Sequence, residues 1–354
     1  MHRFDYSFLK DGMLPADMVN LSAAVAAFQA ISGERKRENE AVYSELVQRA
    51  RMDSVKGSNA IEGIVTSEER MTAIVNRKAK PAGHAEKEIA GYRDALDLIH
   101  KSWQELDFDE ELICHLHELL MAYTKDPSAG HYKDTNNLIL SVDEEGRREV
   151  RFKPVSAAET KEAMEQLVLA YIDARATSGI NRLLLIPCVI LDFLCIHPFM
   201  DGNGRVSRLL TLLLLYQAGI DIGQYVSVEG QINERKDLYY EALKNSSDGW
   251  HENENSYFPF MTNFLSTLYR CYKEMDQRFS ASNGKKLTKK ERVEQMVLKN
   301  ILPISKAEIA ERLPEVSVTT IEAVLGKMVR EGRVLKIGTG RSTQYVNASR
   351  IIKK

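Results

Sequence analysis

The nine residues HPFMDGNGR, His197 to Arg205, follow directly on LLLIPCVILDFLCI, residues 183–196, one of the most apolar segments of the chain. That run reads as a buried helix. Pro198 has no N–H to donate and disfavours helical geometry in the residue before it, so the helix is expected to end at His197. DGNG is turn text, and RVSRLLTLLLLYQAG opens a second helix near Gly204. The first four N–H groups of that helix lack intrahelical partners, which makes the turn an anion cradle. Gly202 and Gly204 carry no side chains to block it. Arg205 and Arg208 lie three apart on the first turn, where the helix dipole is already positive. Two guanidinium groups there suit a polyphosphate.

The residues beside the cradle suggest chemistry. His197, with an ordinary pKa near neutrality, can take a proton from a hydroxyl. Asp201 is a hard carboxylate of the kind Mg²⁺ accepts while bridging phosphates. Asn203 can donate its amide to charge on an attacked phosphorus. Each part alone has a bland reading as a cap, a turn or a surface cation. Together within nine residues they describe a phosphoryl or nucleotidyl transfer site.

Outward from this centre most of the chain reads as helix. Helical text covers PADMVNLSAAVAAFQAIS, RENEAVYSELVQRARMDSV, HAEKEIAGYRDALDLIHKSW, DEELICHLHELLMAY and SAAETKEAMEQLVLAYIDA. TSEERMTAIV is expected to start with a capping box of Thr66 and Glu69. RKDLYYEALKNS and SYFPFMTNFLSTLYRCYKEMDQRF continue the helical pattern after the central pair. The exception is a hairpin of NNLILSV and REVRF joined by DEEG. SASNGKK, ending at Lys286, has linker composition. Three short helices follow, with capping boxes expected at Thr288/Glu291 and Ser305/Glu308, and then two β segments around GTGRS. We expect a mainly α protein: an N-terminal helical region over 1–105, a core over 106–280, and a winged helix-turn-helix over 285–354.

Length and composition agree with a folded chain, 354 residues of which 44% are hydrophobic. No run approaches the roughly 20 apolar residues of a membrane span. Cys114, Cys188, Cys195 and Cys271 lack CxxC spacing and read as reduced core residues of a cytoplasmic protein. His115 and His117, two apart on a helix, do not form a metal pair. The net charge of −2 conceals a basic tail: residues 285–354 carry 16 Lys+Arg against 7 Asp+Glu. DNA is one candidate partner for that tail. Glu315, Glu322 and Glu331 interrupt the basic surface, so a protein-docking or dimerisation role stays open.

The central stretch resembles the signature of the Fic (filamentation induced by cAMP) family, H-x-F-x-D/E-G-N-G-R-x-x-R, at His197, Phe199, Asp201, Gly202, Asn203, Gly204, Arg205 and Arg208. The resemblance implies a helical bundle with one hairpin flap, and transfer of AMP from Mg·ATP to a Ser, Thr or Tyr hydroxyl of a protein. It implies His197 as general base, with Asn203 and Arg205 also catalytic, and Asp201 as the metal ligand. Gly202, Asn203, Gly204, Arg205 and Arg208 would bind the phosphates. Doc-type relatives, which resemble kinases, carry Lys where this chain has Gly204. SNAIEG, Ser58 to Gly63, is similar to the inhibitory motif S/T-x-x-x-E-G/N of the subgroup with an N-terminal inhibitory helix, so Glu62 would occupy the γ-phosphate place on Arg208. Read from its residues alone, Gly63 is equally a helix terminator.

GHYKDTNNLIL is similar to the start of the Fic flap, with Lys133 where Arg is frequent. The flap would place Leu138 and Ile139 over the nucleotide and dock a protein substrate by strand addition. RKDLYYEAL resembles the adenine-pocket segment, pointing to Tyr239 and Tyr240, although Ser247 stands where Asn is common. A nucleotide-responsive DNA-binding regulator, removal of AMP, and transfer of another phosphate-linked group remain open, as does a homodimer.

Overall fold

The computed structural model describes residues 2–38, 40–142, 148–283, 289–300, 303–314, 316–338, 340 and 343–348. The chain divides into two compact units, Met1–Asp276 and Gln277–Lys354.

In the first unit helices run in order α1 (Phe8–Asp11), α2 (Ala16–Glu38), α3 (Glu40–Ile61), α4 (Glu68–Val75), α5 (His84–Ser102) and α6 (Glu110–Met121). The antiparallel hairpin of β1 (Ile139–Val142) and β2 (Arg148–Phe152) follows. Then come α7 (Ala157–Ala176), α8 (Arg182–Ile196), α9 (Asn203–Gln217), α10 (Val228–Asn233), α11 (Lys236–Ser247) and α12 (Phe258–Asn283), whose residues after Asp276 fall in the second unit. The architecture is mainly α, as expected. The hairpin turn DEEG lies outside the described residues.

α8 and α9 form the centre. Every residue of α8 after Arg182 is buried, and a helix apolar all round is stable only inside other helices. Its buried acid, Asp192, is satisfied by Tyr6 Oη at 2.7 Å, Trp250 Nε1 at 2.8 Å and Tyr257 Oη at 3.0 Å. These bonds bind the N-terminal segment and the region before α12 to the core. α9 is buried from Val206 to Tyr216. At about 1.5–3 kcal/mol per buried large aliphatic side chain, its leucine row contributes much of the apolar drive to fold.

α3 is fixed against α10 at close range. A Cβ on Gly57 would come within 2.8 Å of the Gly230 backbone nitrogen, so the crossing requires glycine. Glu229 of α10 is buried and accepts from Ser54 Oγ at 2.8 Å and Tyr92 Oη at 2.9 Å. α3 also runs further than its pattern suggests, to Ile61, so the SNAI segment is helical.

Two local expectations are corrected. Ser67, not Thr66, caps α4, accepting from Arg70 N–H at 3.3 Å. Thr66 instead donates to Glu86. The supposed linker is helical as far as Asn283 at the end of α12, and residues 284–288 lie outside the described set.

The second unit contains α13 (Lys289–Lys299), β3 (Ile304–Ser305), α14 (Lys306–Arg312), α15 (Val318–Arg330), β4 (Val334–Ile337) and β5 (Gln344–Asn347). Its sheet is antiparallel with order β3-β5-β4. The Ser305/Glu308 capping box is present with both bonds. Thr288 lies outside the described residues. Val297, Ile309, Ile321, Leu325 and Val334 contribute to the unit's own apolar core. The four cysteines are free thiols. Among the described residues no helix is long and apolar enough to cross a membrane.

Candidate active site

His197 ends α8 with φ +53° and ψ +62°. Non-glycine residues seldom adopt this left-handed geometry. Two features hold it. The His197 N–H donates to Phe193 O at 2.9 Å. The ammonium of Lys133, a buried residue, donates to Ile196 O at 3.1 Å, to His197 O at 2.9 Å and to Asn137 Oδ1 at 2.8 Å. A cation at a helix C-terminus satisfies its orphan carbonyls and complements its dipole. Burial draws the Lys133 pKa down to about 8.

The His197 ring faces Leu194 O through Nδ1 at 3.2 Å. A carbonyl can only accept, so Nδ1 carries the proton and Nε2 keeps a free lone pair. Burial first, then the Lys133 charge, lower the His197 pKa from 6.5 to about 4. The ring is therefore a neutral base across physiological pH. If His197 takes the substrate proton, the rate should stay level from pH 8 down to about 5 and fall as the ring protonates near 4. An unshifted histidine would already have lost half the rate at pH 6.5. Initial rates across that range, with protein folding checked by circular dichroism, separate the two.

The loop after His197 is locked by Asn203. Its Oδ1 accepts from Phe199 N–H at 2.9 Å and its Nδ2 donates to Phe199 O at 2.7 Å. The side chain is thus engaged with the backbone. The contact the structure shows for this amide closes the loop on Phe199. Phe199 stacks on His117 with ring centroids 3.9 Å apart, and His117 Nδ1 accepts from Gly130 N–H at 3.0 Å. His115 pairs with Glu118 at the surface, so the two histidines have separate roles.

Both arginines of α9 are buried and both meet carboxylates. Arg208 donates to Glu62 Oε1 at 2.8 Å, Ser58 Oγ at 2.9 Å and Ser58 O at 3.0 Å. Arg205 donates to Glu88 Oε2 and, at 3.0 Å, to Asp201 Oδ2. The demand of this guanidinium pair for an anion is therefore met in part from inside the protein, because each cation already has an acid. Gly63, φ +77°, follows α3 in the left-handed conformation, so it terminates the helix as well as ending the SNAIEG motif.

Glu62 reaches the helix mouth itself. A Cβ on Gly204 would meet Glu62 Oε1 at 2.4 Å. The carboxylate thus lies against the first turn of α9, where unpaired N–H groups and the dipole favour an anion.

These residues share one cavity of about 750 Å³. Its walls include Glu62, His197, Asp201, Gly202, Asn203, Gly204, Arg205 and Arg208, with Leu138 and Ile139 from the hairpin and Tyr239 and Tyr240 from α11. Ser58 stands behind Arg208, and neither it nor Gly63 lines the cavity. Tyr239 is buried, with its ring 5.4 Å from that of Tyr240. Asp201 is 69% exposed. Among the described residues there is no cluster of three His, Cys, Asp or Glu able to hold a metal ion. The donor available is one hard oxygen ligand, which fits Mg²⁺ shared with a nucleotide and does not fit zinc.

The Fic/DOC family profile matches residues 107–215. The Fido domain-containing protein of Dictyostelium discoideum is 30% identical over 112 residues, 30% of this chain and 78% of that protein. The chain belongs to the Fic/DOC family. Protein adenylyltransferase Fic of Nematostella vectensis is 27% identical over 214 residues, 57% of this Fic chain and 45% of that protein. The chain thus spans less than half the length of that relative. A Fic family protein from Desulfovibrio desulfuricans has the same fold, with a TM-score of 0.62 and 19% identity over 96% of this chain and 98% of that one.

Several residues of this Fic site escape a reading of the sequence. Glu88 sits in an ordinary amphipathic helix, and Lys133 is visible only as a departure from Arg in the flap text. Arg151 of β2 also lines the cavity and donates to Tyr240 O at 2.9 Å, with its guanidinium 5.3 Å from the Tyr240 ring centre. It couples the hairpin to α11. The only sequence signal for it is the alternation that marks REVRF as a strand.

Proposed function

We propose that this Fic chain is a self-restrained protein adenylyltransferase. It transfers AMP from Mg·ATP to the hydroxyl of a Ser, Thr or Tyr side chain of another protein and releases pyrophosphate. The hydroxyl oxygen bonds to the α-phosphorus while the bond from that phosphorus to the bridging oxygen breaks. Pyrophosphate leaves with the electron pair, and the hydroxyl proton passes to His197 Nε2. The N–H groups at the start of α9 and Arg208 take the phosphate chain once Glu62 withdraws. Asp201 would hold Mg²⁺, which supplies positive charge to the phosphates. Leu138 and Ile139 cover the nucleotide, the base lies by Tyr239 and Tyr240, and the target segment aligns along the hairpin.

What carries this reading is that a neutral histidine base and an anion site filled by the protein's own carboxylate line the same cavity. The experiment offers ATP, UTP, GTP and CDP-choline to the full chain with Mg²⁺ and cell extract, and follows protein masses. Gain of one AMP on an extract protein, with ATP preferred, is the expected result. Loss of AMP from a modified protein, or preference for another donor, would replace this reading by the reverse or a different transfer.

A second reading attaches to the second unit. Its helices and small sheet, with the basic excess of residues 285–354, fit a winged helix-turn-helix that contacts DNA. Lys306 and Lys327 are each paired with an acid, Glu322 and Glu331, which reduces the charge free for phosphates. If the unit binds DNA, gel-shift affinity of the full chain should drop steeply with salt, each neutralised phosphate adding about −0.9 to the log–log slope. A salt-independent or absent shift assigns the unit to protein contacts.

A further inference from the structure

The proposed transfer leaves one buried acid at the site without a task. Glu88 lies on α5 with its side chain 7% exposed, and its Oε2 accepts from Arg205, itself 1% exposed. The other oxygen, Oε1, meets His84 Nε2 at 3.1 Å at the protein surface. The fork of Arg205 is thus divided: Nη1 points inward to Glu88, and Nη2 points to Asp201 at the cavity. A guanidinium this deep needs an opposite charge to offset its desolvation. Of its two carboxylates Asp201 is the exposed one, the residue that would turn towards a cation. Glu88 is the enclosed one, 7% exposed.

We propose that Glu88 is a positioning residue that grips Arg205 from the interior and moderates its charge, so that the outward end of the guanidinium meets the diphosphate portion of the nucleotide in one orientation. This inference rests on the nucleotide reading given above. It differs from a merely structural role in the sign of one effect. An isosteric Glu88→Gln change keeps a hydrogen-bond acceptor for Arg205 and removes the competing negative charge. Arg205 then attracts phosphate more strongly but holds it less selectively. Ground-state binding tightens while turnover falls.

The test uses the full chain carrying Glu62→Gly, so that the anion site is open, and measures ADP binding by calorimetry in EDTA. Adding Glu88→Gln should tighten ADP by about three- to tenfold, the scale of one charge-assisted contact, and lower the rate of AMP transfer from Mg·ATP. Damage to the fold would weaken binding instead. Unchanged or weaker ADP binding by a variant that melts cooperatively overturns the proposal. If Glu88→Gln does not fold, Glu88→Asp, which draws the charge back by one methylene, is measured with the same sign expected. Should the Glu62→Gly reference bind no ADP, the nucleotide reading itself fails, whereas a reference that binds ADP and ignores Glu88 removes only this inference.

Discussion

Replacing His197 by asparagine is expected to lower the rate of AMP transfer about 10²–10⁴-fold, the range for loss of a positioned general base. Asparagine is the informative substitution because His197 holds φ +53°. Asn tolerates that left-handed geometry, whereas alanine would add backbone strain to the chemical loss. The asparagine amide has no basic nitrogen to receive the hydroxyl proton. The half-buried ring lies beyond the phosphate-binding turn, so ADP affinity should stay within about twofold. Rates from α-labelled ATP and calorimetric ADP titrations are the two measurements. A variant that keeps more than a tenth of the rate would show that another group, or water, removes the proton.

Glu62→Gly should act in the opposite direction and raise transfer about ten- to hundredfold. The carboxylate makes a charge-assisted bond to Arg208 at 2.8 Å, and bonds of this kind contribute about 1.5–3 kcal/mol, with 1.4 kcal/mol corresponding to tenfold in population. Glu62 is 31% exposed, which places the effect towards the lower end because solvent screens part of the attraction. Arg208 should stay in place in the variant, since both of its Ser58 bonds persist. The same substitution should tighten ATP without speeding any transfer by the His197→Asn protein. If Glu62→Gly leaves incorporation unchanged in purified protein with Mg²⁺, the carboxylate is a structural partner of Arg208 and the restraint lies elsewhere.

The helices were legible wherever a local rule had no competitor. Pro198 marks the end of α8, although Pro187 is accommodated inside the same helix, and Gly202 supplies the positive φ that starts α9. The Thr66 expectation failed because Thr66 and Ser67 are both competent caps one residue apart. Only the position of Glu86, brought near by α5, gives Thr66 another partner. The place of Asn203 in the turn was legible, but its contact with Phe199 was not. Its spacing could not reveal that the amide closes a ring on Phe199, whose own position depends on stacking against His117 of α6.

By itself the sequence determined the junction of α8 and α9: a buried helix ending at a histidine, a glycine turn, and a helix mouth carrying two arginines. Each of these follows from steric and hydrogen-bonding limits within a few residues. The family motif already implied Glu62 on Arg208, whereas only the tertiary structure assigned Glu88 to Arg205. Glu62 and Arg208 are 146 residues apart, and Glu88 and Arg205 are 117 apart. An ion pair between buried helices leaves no periodicity in either one, and depends on packing such as the Gly57–Gly230 approach to bring the charges within reach.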